Sequence, residues 1–102
     1  MVYLSSIGPV DLETGELAAT TMRLQATRCM ENLKARLESV GSSLDKVVMA
    51  NWSLKDPADF DTFSEVWAHW FPGDAPVGQL LILPPQMRQA GFRVAIGVIA
   101  EA

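Results

Sequence analysis

The sequence holds one cysteine, one histidine and one tyrosine among 102 residues, and its eight Lys and Arg are outnumbered by twelve Asp and Glu. Each scarcity excludes something. A lone thiol, Cys29, closes no internal disulfide and builds no multi-cysteine metal site, which makes a reducing compartment the simplest setting. The formal net charge of −4, with no basic cluster to override it, argues against non-specific nucleic-acid binding, which needs a positive footprint to displace counterions. No run is long and apolar enough to span a bilayer. The start, Met1-Val2-Tyr3-Leu4, lacks the basic region of a signal peptide. The expectations are a cytoplasmic protein with no nucleic-acid or membrane partner.

What remains is the composition of a globular protein, 49% apolar and 20% charged, in a length that fits a single domain over 1–102. Val2 to Ile7 is short, partly β-branched and stopped by Gly8-Pro9, so it reads as a strand. Glu13-Thr14-Gly15 signals a turn. From about Thr20 the period changes: Met22, Ala26, Cys29, Met30, Leu33, Leu37 and Val40 follow helical spacing, and Gly41 suits a left-handed cap. Leu44 to Leu54 reads as a second strand carrying Val47, Val48, Met49 and Trp52. Asp56-Pro57-Ala58-Asp59 opens a second helix, with Asp56 as cap and Pro57 in the first turn. Its stripe is aromatic: Phe60, Phe63, Trp67, Trp70 and Phe71, stopped by Pro72-Gly73. Gln79 to Leu83 is a short third strand before Pro84-Pro85. Phe92 to Ala100 is the last, with Phe92, Val94, Ile96 and Val98 on one face and Arg93, Ala95, Gly97 and Ile99 on the other. The order β, α, β, α, β, β requires two helices on one face of a mixed sheet. The other face then needs a partner, and copies of the chain itself are one solution.

Several ordered matches carry a resemblance. They are Val2-Tyr3-Leu4-Ser5-Ser6 with Thr14-Gly15-Glu16; Gln25 with Glu31-Asn32-Leu33 and Leu37; Gly41-Ser42-Ser43-Leu44-Asp45-Lys46-Val47; and Leu54-Lys55-Asp56 with Asp59-Phe60 and Phe71-Pro72. In this order they resemble the Rid (YjgF-type) family along nearly the whole chain. The resemblance implies a chorismate-mutase-like α/β fold, a homotrimeric barrel and ligand sites in clefts between subunits. It also implies hydrolysis of reactive enamines and imines such as 2-aminoacrylate, with no cofactor and no metal. In such a site an arginine pairs with the substrate carboxylate through its bidentate fork, and a glutamate on the last strand positions water. A segment ahead of the first strand contributes a tyrosine, and this sequence starts after its counterpart.

The motif positions differ here. The Pro-Ala-Arg motif reads Pro76-Val77-Gly78, which puts Gly78 at the arginine; the Val-Glu-Ile run reads Val94-Ala95-Ile96, which puts Ala95 at the glutamate. An asparagine of the second helix corresponds to Ser64, and Ser-Gly-Gln corresponds to Ser5-Ser6-Ile7. The candidate ligand-binding residues are therefore Ser5, Ser6, Gly78, Gln79, Arg93 and Ala95, with Arg93 or Arg88 as a substitute for the missing anchor; no catalytic residue is assigned. Against each candidate stands a plain structural use. Arg88 and Arg93 suit solvated positions, Cys29 a buried thiol, His69 an exposed helix face, Trp67 and Trp70 core packing, and Asp74 a turn. Two classes of function follow. One is a divergent enzyme binding and hydrolysing a small imine-like or related metabolite. The other is a non-catalytic ligand-binding protein, or a subunit completing a site with a heteromeric partner.

Overall fold

A computed structural model describes residues 1–17, 19–71, 73, 76 and 78–102, with Ser6 described by its backbone alone. Four strands form one mixed sheet in the order β1-β4-β2-β3: β1 is Val2–Ile7, β2 is Val47–Leu54, β3 is Gly78–Ile82 and β4 is Val94–Ala100. β4 runs antiparallel to both β1 and β2, so those two are parallel to each other, and β2 pairs parallel with β3. Parallel strands need crossover connections. The helix α1, Met22–Ser39, crosses from β1 to β2, and α2, Phe60–His69, crosses from β2 to β3. Both pack on one face, as the helical stripes require.

The caps follow the local sequence. Thr21 accepts from the Leu24 N–H at the start of α1, and Gly41 takes a positive φ of 80° just past its end. Asp56 caps a 3₁₀ turn, Pro57–Asp59, which leads directly into α2. A second 3₁₀ turn, Leu44–Lys46, occupies what reads from sequence as the beginning of β2. A short helix α3, Pro85–Gln89, fills the stretch between β3 and β4, where the sequence suggested a break. Pro85 stands in its first turn, where a missing N–H costs nothing.

The core lies between the helices and one sheet face. Met22, Ala26, Cys29, Met30, Leu33 and Leu37 of α1 are buried, whereas Val40, expected on the same stripe, is 51% exposed because α1 has already ended. Phe63, Val66 and Trp67 of α2, with Phe71, are buried; Phe60 and Trp70 lie at the margin of the stripe. Trp52 of β2 packs edge-on to Phe63 and Trp67 at ring-centroid distances of 4.9 and 5.3 Å.

Two buried polar side chains of α1 tie distant loops to this core. Gln25 donates to the carbonyls of Ala19 and Gly91 and accepts from the Arg93 N–H. Asn32 donates to the carbonyls of Gly8 and Val10. Each satisfies backbone groups that burial would otherwise leave unpaired.

Candidate functional site

The sheet face away from the helices is open. Strand alternation assigns it Tyr3 and Ser5 from β1, Ala95, Gly97 and Ile99 from β4, Met49, Asn51 and Ser53 from β2, and Gln79 and Leu81 from β3. Register lines these up across the sheet. Asn51 stands opposite both Gly97 and Gln79, and Ser53 opposite both Ala95 and Leu81. A Cβ built on Gly97 would lie 3.7 Å from the Ser5 Cα, which puts Ser5 at the other end of the Asn51–Gly97 row.

Two depressions flank that row and share Ser5, Asn51 and Gly97. One, of about 200 Å³, extends over Tyr3, Met49 and Ile99. The other, of about 170 Å³, extends over Ser53, Ala95, Leu81, Pro84 and Met87. Among the described residues, no acid, base or thiol lines the second depression. Among the described residues, the side chains of Ser5, Asn51, Ser53 and Gln79 form no hydrogen bond with another residue.

The residues proposed from sequence separate here. Ser5 and Ala95 line the second depression, and Gln79 lies beside Asn51 at the sheet edge. The Ser6 side chain, Val77, Pro72 and Asp74 lie outside the described residues. Gly78 sits opposite Ala50 at the start of β3, and a Cβ there would land inside the Trp52 indole on the core side. The Trp52 Nε1–H has no acceptor among the described residues. Just upstream, the Trp67 indole N–H donates to the Pro76 carbonyl at 2.9 Å and fixes the approach to β3. Arg93 lines neither depression. It precedes the first residue of β4, its backbone N–H goes to Gln25, and its guanidinium lies 3.9 Å from the Asp59 carboxylate beside α2. Arg88 donates to the Leu83 carbonyl and borders a separate groove with Lys55 along β3.

Sequence reasoning passed over Asn51 and Ser53. The signal was present: alternation across Val47–Leu54 buries Ala50, Trp52 and Leu54 and turns Asn51 and Ser53 the other way. The remaining candidates are structural. Cys29 is buried, with Sγ 3.6 Å from the Ile7 carbonyl, and desolvation pushes its thiol well above the ordinary range. His69 is exposed, bordering a surface groove with Arg23 and Glu65, themselves ion-paired at 2.7 Å. Among the described residues no cluster of three or more His, Cys, Asp or Glu could hold a metal ion, and no helix is long and apolar enough to cross a membrane.

A mixed four-stranded sheet with its crossover helices on one face is the chorismate-mutase-like architecture. The chain belongs to the Rid/YjgF proteins: the family model described as endoribonuclease L-PSP matches residues 1–102. It is 41% identical over 76 residues to a RutC family protein of Saccharolobus solfataricus, a match covering 74% of this chain and 60% of that protein. It is 30% identical over 76 residues to the chloroplastic Reactive Intermediate Deaminase A of Arabidopsis thaliana, covering 74% of this chain and 41% of the relative. The crystal structure of RidA from an Antarctic Psychrobacter species superposes with a TM-score of 0.85 at 32% identity, covering 98% of this chain and 79% of the other. The aligned stretch spans about three fifths of the length of the archaeal relatives it matches.

Proposed function

We propose that the chain binds a small organic metabolite in a cleft formed where the open sheet face meets a second copy in a homotrimer, and that it hydrolyses 2-aminoacrylate-type imines poorly or not at all. The observation carrying this reading is Ala95 on the floor of the second depression, where the resemblance calls for a water-positioning glutamate. The arginine position supports it: Trp52 occupies the space a side chain at Gly78 would need. A substrate carboxylate without its guanidinium loses charge-assisted hydrogen bonds worth about 1.5–3 kcal/mol each. Loss of a positioned acid–base group costs about a hundredfold or more in rate. The two losses fall on one step and need not add. Similarity to the Reactive Intermediate Deaminase A of Arabidopsis thaliana supports the metabolite class. The test is an imine-hydrolysis assay with an amino-acid oxidase generating the substrate, beside an authentic deaminase of the family. Turnover below about one hundredth of that enzyme's is expected, and comparable turnover overturns the reading.

The trimer is proposed from the open face itself. Tyr3 is 72% exposed and Met49 60% exposed there, alongside the exposed Leu81, in a domain small enough to gain from association. Analytical ultracentrifugation should show a trimer at micromolar protein, and monomer alone refutes it. The neutral lining also favours a second reading, a non-catalytic ligand-binding protein or partner subunit, because none of the described residues lining that depression carries an acid, an imidazole, an amine or a thiol. A reducing, cytoplasmic setting belongs to the same proposal, with the thiol of Cys29 kept buried.

A further inference from the structure

We propose that Ser5, Asn51 and Ser53 form a recognition site for an uncharged ligand bearing a primary amide. The inference rests on the cleft reading above and names the ligand class that site would take. Its first support is the floor. Gly97 and Ala95 are two apart on the same face of β4, so the floor between the flanking polar groups carries no side chain larger than a methyl group. Asn51 stands directly opposite Gly97, Ser53 directly opposite Ala95, and Ser5 lies on the far side of Gly97. All three border the same depression, which Leu81, Pro84 and Met87 also line.

The second support is the chemistry of these groups. An asparagine amide offers two donors and an acceptor, and each serine hydroxyl donates and accepts. A primary amide presents the same inventory as Asn51, so its N–H can donate to the Asn51 Oδ1 while its carbonyl accepts from the Asn51 Nδ2–H or from a hydroxyl. A carboxylate accepts and does not donate. Sinking it against Ser5, Asn51 and Ser53, under a second copy, removes water from a charge that these neutral groups do not counter. The third support is that these side chains are unengaged among the described residues, while a covered face requires partners for them.

The experiment titrates the full chain calorimetrically with pyruvamide and with pyruvate, which match in shape and differ in the amide and the carboxylate. Pyruvamide should bind at least about tenfold more tightly than pyruvate, as expected where a buried polar site is satisfied by one analogue alone. Asn51→Leu should weaken pyruvamide by about tenfold or more, and Ser53→Ala by less, with assembly and melting temperature of both variants unchanged. If pyruvate binds as tightly or more tightly and Asn51→Leu abolishes it, the uncharged-ligand inference falls and the cleft stands. If neither probe binds, or binding ignores Asn51→Leu, both the inference and the cleft reading fall.

Discussion

The two faces of the sheet are made by the same strands from alternate residues, and they obey different rules. Toward the helices, β2 and β4 present Trp52, Leu54, Val94, Ile96 and Val98, all buried against α1 and α2. Away from them, the same strands present Asn51, Ser53, Ala95, Gly97 and Ile99. The open face mixes small neutral groups with exposed apolar ones at Tyr3 and Met49. Constraint on one side is stability, and freedom on the other is room for a ligand or a second copy.

The sharpest way to break this contrast is to empty the packed face. Trp67 and Phe63 are buried, stack with each other and meet Trp52 edge-on. Trp67→Ala or Phe63→Ala should destabilise by about 3–5 kcal/mol, read from urea denaturation at matched protein concentration. Denaturation indistinguishable from wild type in both variants would mean that the aromatic stripe is not core. A smaller effect is expected from filling space. Gly78→Ala puts a methyl group where the Trp52 ring lies, and overpacking of this kind costs about 1–3 kcal/mol. A neutral or stabilising Gly78→Ala would show that the indole moves freely, and that a longer side chain at this position could be accommodated.

The fold was largely legible because each long element carries a clear period: the α1 stripe, the aromatic stripe of α2 and the alternation of β4. Three things were less visible. Gln25 and Asn32 are polar and are not among the apolar residues that mark the α1 stripe, yet both are buried, because their partners are backbone groups outside the helix, most of them far away in sequence. Helix α3 was hidden by Pro84-Pro85, which looks like a terminator but serves as a helix start. Gly78 read as a vacated arginine position, and its packing against Trp52 depends on the parallel register of β2 and β3, which no local pattern encodes. The site was half legible. Ser5 and Ala95 were reached through the family resemblance, whereas Asn51 and Ser53 needed the register that brings β2 beside β4.

The smallest expected effect belongs to Arg93. Extending the alternation of β4 backward places Arg93 on the open face with Ala95, where it could replace the missing anchor. The sheet does not extend that far. β4 begins at Val94, and ahead of it the Arg93 carbonyl accepts from the Lys55 N–H while its N–H goes to Gln25. From there the guanidinium lies 3.9 Å from Asp59, at the entry to α2, with 44% of the side chain exposed. An ion pair so long and so hydrated contributes about 0–1 kcal/mol. The backbone hydrogen bonds persist when the side chain is removed. Arg93→Ala should therefore shift stability by less than about 1 kcal/mol and leave pyruvamide and pyruvate affinities within about twofold of wild type. Selective loss of pyruvate binding in Arg93→Ala, with stability unchanged, would place the guanidinium in the cleft of the assembled protein and restore it as the carboxylate anchor.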